Sequence, residues 1–271
     1  MGSHATALTK PSTLCSVLAA GSALRSGQCE ETVDWQLAEE VPVAFVYNTV
    51  PHAVMMATPA DLEDFALGFS IAEEIIDRPD ATLLSKVEHH DAGVRLCIAV
   101  DPDHVGRGFS ARRSMAGRTG CGLCGIEDLK NAVREPKPRT STVPDVKPEA
   151  IIQAFDTMAH HQPMNSVNKS VHGAAFCDLN GRILMVREDI GRHNALDKLI
   201  GAIYRAKLTP SEGFVVMTSR CSFELVQKAS AASISLLATL SAPTALAVDL
   251  AERAGMSLAA RAQPGAVVRF R

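Results

Sequence analysis

The 271-residue sequence has no marked excess of charge, no internal repeat, and no start in which a basic segment precedes an apolar one. Its net charge of −3, with 21% charged and 46% hydrophobic residues, is typical of a folded water-soluble protein and argues against a disordered, membrane or nucleic-acid-binding chain. The seven cysteines are an odd number, and their spacing shows no disulfide framework. We therefore expect a reducing, cytoplasmic location.

The sequence contains one Cys-x-x-Cys pair and lacks a second. Cys121 and Cys124 lie in residues 117–125, where four glycines let the backbone move and approach a ligand closely. Such a pair ligates a metal, forms a redox disulfide or carries sulfur as a persulfide, and all three use the thiolate, which the neighbouring Arg118 favours. Because a structural zinc site needs four ligands and one pair supplies two, we expect no bound metal.

Composition and periodicity divide the chain into a tail, two lobes and a linker. Residues 1–30, rich in Ser, Ala and Thr as far as about Gly27, predict a disordered tail. Residues 31–133 carry strand patterns and one helix pattern, which predicts a small α+β lobe ending in the Cys-x-x-Cys loop. Residues 134–147 combine proline with charge and predict a linker. Residues 148–271 alternate helix and strand patterns, which predicts an α/β lobe with a mostly parallel sheet.

Several local patterns predict individual elements. Residues 41–56 predict two strands joined by a turn, and we expect Met55 and Met56 at their end to be core residues. Thr58 is expected to be the N-cap of the helix that follows. Asn180-Gly181 between two apolar runs predicts a tight β-hairpin.

Polar turns follow the predicted strands of the second lobe, at the edge where sheets of this class bind ligands. The turn of residues 188–194 carries the densest ionisable cluster of the chain and precedes a helix whose N-terminus suits a phosphate. An internal network of salt bridges and caps that includes Asp189 and Asn194 is an equally good interpretation. Residues 218–222 form the second such turn. The basic candidates for a ligand site at this edge are His172, Arg192, His193 and Arg220.

Separated motifs occur in the order found in the FdhD/NarQ family of formate dehydrogenase accessory sulfurtransferases. The chain resembles this family over residues 39–265. The motifs that carry the resemblance are EEVPVAFVYN, TPADLEDFALGFSIAEEII, GRTGCGLCGIEDL, EDIGRHNALDKLIG, TSRCSFELVQKA and SAPTALAVDLAE.

The resemblance implies a sulfur relay. A cysteine desulfurase loads sulfane sulfur on a family cysteine that matches Cys121, and Cys124 matches the second family cysteine. The sulfur passes to the molybdenum cofactor, Mo-bis(molybdopterin guanine dinucleotide), before that cofactor enters the catalytic subunit of formate dehydrogenase. The resemblance also implies a homodimer and a C-terminal three-layer α/β/α lobe similar to cytidine deaminases, with the smaller α+β lobe before it.

The family binds the guanine-dinucleotide cofactor transiently, with GDP as a fragment ligand and no permanently bound cofactor. Its binding segment near the C-terminus maps onto Arg261, Ala262, Gln263, Pro264, Gly265 and Ala266. Arg261 stands where the family often has an aromatic ring. Arg118 is expected to contact the ligand, because guanidinium groups suit phosphate oxygens.

Three other functions compete with the relay. A nucleobase deaminase needs His-x-Glu followed by Pro-Cys-x-x-Cys, whereas His172 is followed by Gly173 and Ala174. A thiol-disulfide oxidoreductase places its Cys-x-x-Cys at a helix start after a first strand, and we rank it second. A non-catalytic chaperone that shelters the molybdenum cofactor uses the same pocket as the relay, and dependence on Cys121 would distinguish the two.

Overall fold

The computed structural model describes residues 15–24, 26, 29–109, 135–136 and 143–270. It has a mixed α/β fold with two larger sheets and one two-stranded ribbon. The predicted site residues Arg118, Cys121 and Cys124 lie outside the described residues.

The ribbon lies where the sequence predicted a disordered tail. Strand β1 (Ser16–Ala23) pairs antiparallel with β2 (Glu31–Ala38), so the prediction is wrong for β1. Opposite residues of an antiparallel pair share a face, and Val17 lies opposite Leu37 while Ala19 lies opposite Trp35. The small residues of β1 therefore complete an apolar face together with β2, a pairing that composition alone does not reveal.

The first lobe is a four-stranded sheet in the order β4-β3-β6-β5. Its strands are β3 (Val41–Tyr47), β4 (Val50–Ala57), β5 (Thr82–His90) and β6 (Gly93–Val100). The predicted turn between the first two is confirmed, because Asn48 and Thr49 adopt positive φ angles of 46° and 73°. Helix α1 (Leu62–Ala72) covers the sheet, and the Phe69 ring stacks on Phe45 with centroids 4.2 Å apart.

Helix α1 begins three residues later than expected. Asp61, with φ 53° and ψ 38°, takes the N-cap position. Thr58, the expected cap, instead donates its backbone N–H and its hydroxyl to Asp189 at 3.0 and 2.9 Å. A partner 131 positions away in sequence has replaced the local cap, and this contact joins the two lobes.

The second lobe is built on a six-stranded sheet in the order β12-β11-β10-β9-β7-β8. Only the pairs β9 with β10 and β10 with β11 are parallel, so the expectation of a mostly parallel sheet is wrong. Tight turns explain two of the three antiparallel pairs, β7 with β8 and β11 with β12, because a short connection forces antiparallel pairing. The predicted Asn180-Gly181 hairpin is one of them, with Gly181 at φ 88°. The strands are β7 (His172–Cys177), β8 (Ile183–Asp189), β9 (Phe214–Met217), β10 (Leu236–Thr239), β11 (Ser257–Gln263) and β12 (Ala266–Phe270).

Helices pack on both faces of this sheet. They are α2 (Pro148–Met158), α3 (Pro163–Asn168), α4 (Arg192–Arg205), α5 (Phe223–Ala231) and α6 (Ala245–Ala254). On one face Ile151 of α2 shares a core with Val216, and on the other Leu199 of α4 shares a core with Val215. None of the described helices is long and apolar enough to cross a membrane.

Helices α1 and α4 join the lobes through a close backbone contact. A Cβ atom at Gly68 would lie 1.7 Å from the Asp197 carbonyl oxygen, and one at Gly201 would lie 1.9 Å from that of Asp64. Only glycine permits this approach. The side chains of both lobes consequently form one continuous core.

Candidate functional site

Two polar turns of the second lobe meet at one edge of the six-stranded sheet. β8 ends at Asp189, opposite His172 at the start of β7, and residues 218–222 follow β9. The Thr218 hydroxyl accepts a hydrogen bond from Gly173 N at 2.9 Å, which holds the second turn against β7. The two turns that the sequence indicated as ligand positions therefore lie side by side.

A cleft of about 360 Å³ opens beside the first turn, between the two lobes. Met55 and Met56, which we expected to be core residues, both line it, although Met55 also packs against the main core. The cleft is thus lined by both apolar and polar residues, and the N-terminus of α4 borders it. Its lining residues are Ala38, Glu40, Met55, Met56, Ser170, Ile190, Gly191, His193 and Asn194.

A fully buried ion pair holds in place the first turn, which borders the cleft. Lys198 Nζ lies 2.6 Å from Asp189 Oδ2, and it donates to the carbonyl and the hydroxyl oxygen of Thr58, each at 2.9 Å. The second Asp189 oxygen accepts from Gly191 N at 2.8 Å and from the Asn194 amide at 2.9 Å. All three ammonium protons and both carboxylate oxygens have partners, so this cluster is structural.

Glu188 also has a structural role. Its carboxylate accepts from the backbone N–H groups of Met164 and Asn165 at 2.8 and 2.9 Å and thereby caps α3. Burial raises its pKa above the ordinary value, while these hydrogen bonds oppose the rise. For Glu188, Asp189 and Asn194 the interpretation as a network of salt bridges and caps is therefore the correct one.

His193 differs from Glu188 and Asp189 because it is a titratable group that lines the cleft. Its Nε2 lies 3.1 Å from Glu224 Oε2 and 3.5 Å from the Ser222 hydroxyl, both at the start of α5. Burial lowers the pKa of His193, and hydrogen bonding to Glu224 opposes that shift. The imidazole is a titratable group at the border of a cavity, an arrangement frequent at functional sites.

His172 and Arg192 lie close to His193, as the sequence grouped them. Burial lowers the pKa of His172, and the positive charges of Arg192 and His193 lower it further. This edge accordingly combines basic side chains with the N-terminus of a 14-residue helix, an arrangement that favours negative charge.

The C-terminal candidates lie elsewhere. Arg261 donates to Asp156 at 2.7 Å and lies 6.0 Å from the centre of the Phe155 ring, on the α2 face of the sheet, whereas His193 lies on the α4 face. Ala262 and Gln263 end β11, Pro264 and Gly265 form the exposed turn of the β11–β12 hairpin, and Ala266 begins β12. Arg220 is exposed in the turn after β9. The structure thus brings together His172, Arg192 and His193 but not Arg261.

The buried cysteines of the described part are poorly suited to thiolate chemistry. Burial raises the pKa of Cys177 and of Cys221 to about 12, and it also raises that of Cys15. A thiol with a raised pKa carries little thiolate near neutral pH. Among the described residues, no group of three or more His, Cys, Asp or Glu side chains is placed to hold a metal ion.

The ends of the segment that carries Cys121 are held together. The chain leaves the described part at Phe109 and returns at Glu135. The Arg107 guanidinium donates to the Glu135 carbonyl oxygen at 3.3 Å and pairs with Glu74 at 2.5 Å. The Glu135 carboxylate pairs with Arg253 of α6.

A model of the FdhD/NarQ family matches residues 38–270. The chain belongs to the FdhD/NarQ family. Relatives in this family include proteins named sulfur carrier protein FdhD. The one from Xanthomonas euvesicatoria pv. vesicatoria is 48% identical over 227 residues, which cover 84% of this chain and 80% of the relative. The one from Bordetella petrii is 44% identical over 226 residues, covering 82% and 80%.

The fold agrees with a crystal structure described as a formate dehydrogenase accessory protein from Desulfotalea psychrophila. The two structures superpose with a TM-score of 0.73 over 95% of this chain and 97% of the other, at 23% sequence identity.

The sequence patterns did not predict the contacts that Thr58, Lys198 and Glu224 make near the cleft, although all three lie within the residues that match the family. For Lys198 the sequence does contain one indication of a buried charge, because this lysine lies among the apolar residues of α4.

Proposed function

We propose that this chain is a sulfur carrier in formate dehydrogenase maturation. A cysteine desulfurase loads sulfane sulfur on Cys121 as a persulfide, and Cys124 is the second thiol of the reactive loop. The observation that carries the proposal is the 48% identity to a relative named sulfur carrier protein FdhD. The raised pKa values of Cys15, Cys177 and Cys221 support it, because they disfavour those thiols as carriers.

We further propose that the acceptor of the sulfur is the molybdenum cofactor in its bis(molybdopterin guanine dinucleotide) form, held transiently as substrate. Its diphosphate suits the N-terminus of α4 together with Arg192, His172 and His193, because backbone N–H groups and basic side chains bind phosphate oxygens. Arg118 and Arg220 are further candidates for this contact. The interlobe cleft beside these residues is open enough to admit part of a nucleotide.

In the C-terminal part of the proposed cofactor site, Arg261 has to leave its present carboxylate partner before it can bind a phosphate. Arg261 is paired with Asp156, so a phosphate contact requires that this carboxylate be replaced by the ligand. The residues that follow contribute backbone N–H groups to the same ligand, except Pro264, which has none. They are Ala262 and Gln263 at the end of β11, Pro264 and Gly265 in the turn, and Ala266 at the start of β12.

The remaining features of the proposal concern setting and assembly. We propose that the catalytic subunit of formate dehydrogenase receives the sulfurated cofactor, that the chain acts as a homodimer in the cytoplasm, and that the second lobe is related to the three-layer cytidine deaminase fold. Helices on both faces of the six-stranded sheet support the last point.

Mass spectrometry of the intact protein tests the persulfide. After incubation with a cysteine desulfurase and cysteine, the wild type should gain about 32 Da for each sulfur atom added. Cys121→Ala should abolish the gain, while Cys124→Ala, the matched control in the same loop, should retain most of it. An undiminished gain in Cys121→Ala would show that another residue carries the sulfur. A loss of about 2 Da without any gain would favour thiol-disulfide exchange.

A further inference from the structure

One face of the β1–β2 ribbon is apolar and open to solvent. Successive residues of a strand point to opposite faces, so Val33, Trp35 and Leu37 of β2 lie on the same face. The residues opposite them on β1 complete what we call the ribbon face, and they are Gly21, Ala19 and Val17. The exposed fractions of Val17, Trp35 and Leu37 are 54%, 53% and 48%.

The large side chains of the ribbon face are adjacent rather than scattered. Val17 lies directly opposite Leu37, and Trp35 is two positions from Leu37 on the same strand. Single exposed apolar side chains are normal on a protein surface, whereas contiguous apolar patches mark interaction sites. Tryptophan is also among the residue types that contribute most to binding at interfaces. The ribbon face thus has the composition of a docking surface.

The opposite face of the ribbon attaches it to the second lobe. Ser16 and Ala38, which lie opposite each other, belong to that face. The Ser16 hydroxyl accepts a hydrogen bond of 3.2 Å from the Asn168 amide of α3. Ala38 packs against a small cluster that contains Met164 and Val171. The ribbon face therefore lies on the side away from these contacts.

Carboxylates frame both ends of the ribbon face. Glu30 and Glu31 precede Val33, and Glu39 and Glu40 follow Leu37. Residues 29–40 contain no lysine or arginine. The surface is consequently apolar in the middle and negative at both ends, and electrostatic complementarity favours a partner with basic groups around an apolar centre.

The dimensions of the ribbon face fit one α-helix. Two neighbouring strands with their side chains are about 10 Å wide, which matches the diameter of a helix, about 10–12 Å. Residues 31 and 39 are separated by about 27 Å along an extended strand. A helix covers that length with about 18 residues. A single amphipathic helix can therefore cover the apolar middle and reach the carboxylates at both ends.

We propose that the ribbon face is a docking site for a basic amphipathic helix of a partner protein. The helix lays its apolar stripe over Trp35 and brings lysine or arginine side chains to the carboxylates at both ends. β1, and β2 apart from Ala38, precede the residues 38–270 that match the family. The docking site accordingly does not rest on the sulfur-carrier function proposed above.

A second copy of the chain fits this face less well. Both ends of the ribbon face are negative, so two such faces packed on each other bring carboxylates together in either orientation, and like charges repel. A surface of about 10 Å by 27 Å is also much smaller than the about 800 Å² that each partner contributes to a stable interface. The homodimer proposed above accordingly uses another surface.

Fluorescence anisotropy of a labelled peptide tests the docking site on the full chain. The probe is a peptide of about 18 leucine and lysine residues, with leucine at helical spacing along one face. A second peptide has glutamate in place of every lysine. Trp35→Ser removes the largest side chain of the ribbon face. Leu179→Ser is the matched control, because Leu179 is 41% exposed in a turn of the second lobe.

The lysine peptide should bind the wild type at least tenfold more tightly than the glutamate peptide, and its affinity should fall as salt is added. Trp35→Ser should weaken binding of the lysine peptide at least tenfold, because an aromatic anchor is lost. Leu179→Ser should bind this peptide as the wild type does. Equal binding of the two peptides, no binding of either, or undiminished binding to Trp35→Ser would overturn the proposal.

The carboxylates are tested with one change at each end of the ribbon face. Glu30→Gln combined with Glu39→Gln should weaken binding of the lysine peptide about three- to tenfold and reduce its salt dependence. Glu149→Gln combined with Glu252→Gln is the matched control, because both residues are exposed on helices of the second lobe, and it should change neither quantity. Equal losses in the two double variants would contradict the role of the ribbon carboxylates.

Two further measurements separate the proposed helix from other occupants. If Trp35→Ser abolishes self-association of the wild type in sedimentation velocity, a second copy covers the ribbon face. If it abolishes binding to phosphatidylcholine vesicles, a lipid surface does. Either result overturns the proposal. If Trp35→Ser does not fold, Leu37→Ser replaces it, with the same expected loss and the same refuting outcome.

Discussion

Removal of the ammonium group of Lys198 is the sharpest test of how the two lobes are joined. Lys198→Met leaves the buried Asp189 carboxylate with hydrogen bonds but without a cation. Breaking a buried pair in this way costs about 3–5 kcal/mol of the free energy of unfolding. Asp189→Asn should cost a similar amount, because the ammonium then keeps only the two oxygens of Thr58.

The double variant, which combines Lys198→Met with Asp189→Asn, measures the interaction between the two charged groups. It removes both charges, so its loss should be smaller than the sum of the two single losses by about 2–3 kcal/mol. Urea unfolding followed by far-UV circular dichroism measures each free energy, and Lys147→Met is the control because that lysine is exposed. Single variants within about 1 kcal/mol of the wild type, or losses that simply add, would refute the role of the pair.

Three further predictions follow from other parts of the molecule. Gly201→Ala should destabilise the protein by about 1–3 kcal/mol in the same urea assay, although alanine favours a helix. Gly21→Ala is the control and should be nearly neutral, because the nearest atom to the added Cβ is 3.9 Å away. A Gly201→Ala variant more stable than the wild type would contradict the close contact between α1 and α4. Calorimetry should find tighter binding of GDP than of ADP, weakened by salt and by Arg261→Ala or Arg118→Ala, and equal binding of both nucleotides would remove the proposed cofactor site. Burial lowers the pKa of His172, so the unfolded chain binds a proton at this residue before the folded chain does as the pH falls through about 6.5. The free energy of unfolding should therefore decrease over that pH range, and His172→Gln should flatten the decrease. An unchanged pH profile in His172→Gln would be evidence against this contribution of His172.

Local patterns were sufficient where the physical cause is local. The Asn180-Gly181 turn needs a positive φ, which Gly181 supplies, and the two strands expected within residues 41–56 are β3 and β4. Thr244 caps α6 through the Ala247 N–H. Helices α2, α4, α5 and α6 follow the same rule, since their apolar positions recur at helical spacing, whereas the six-residue α3 was not predicted.

Long-range contacts explain what the sequence did not predict. Thr58 has the composition of a helix cap, but Asp189 competes for it from another lobe. Strand β1 is recognisable only once β2 lies beside it. The cleft depends on how the lobes meet, so Met55 and Met56 could not be distinguished from ordinary core residues by their spacing.

The apolar ribbon has a consequence for spectroscopy. Trp35 is the single tryptophan of the chain, and it lies on β2 with 53% of its surface exposed. A two-stranded ribbon is by itself only marginally stable in water, and this one is attached to the second lobe by contacts such as the hydrogen bond of 3.2 Å from the Asn168 amide to the Ser16 hydroxyl. Intrinsic tryptophan fluorescence will consequently report the melting of the ribbon, and its transition should precede the one that circular dichroism detects for the shared core of the two lobes.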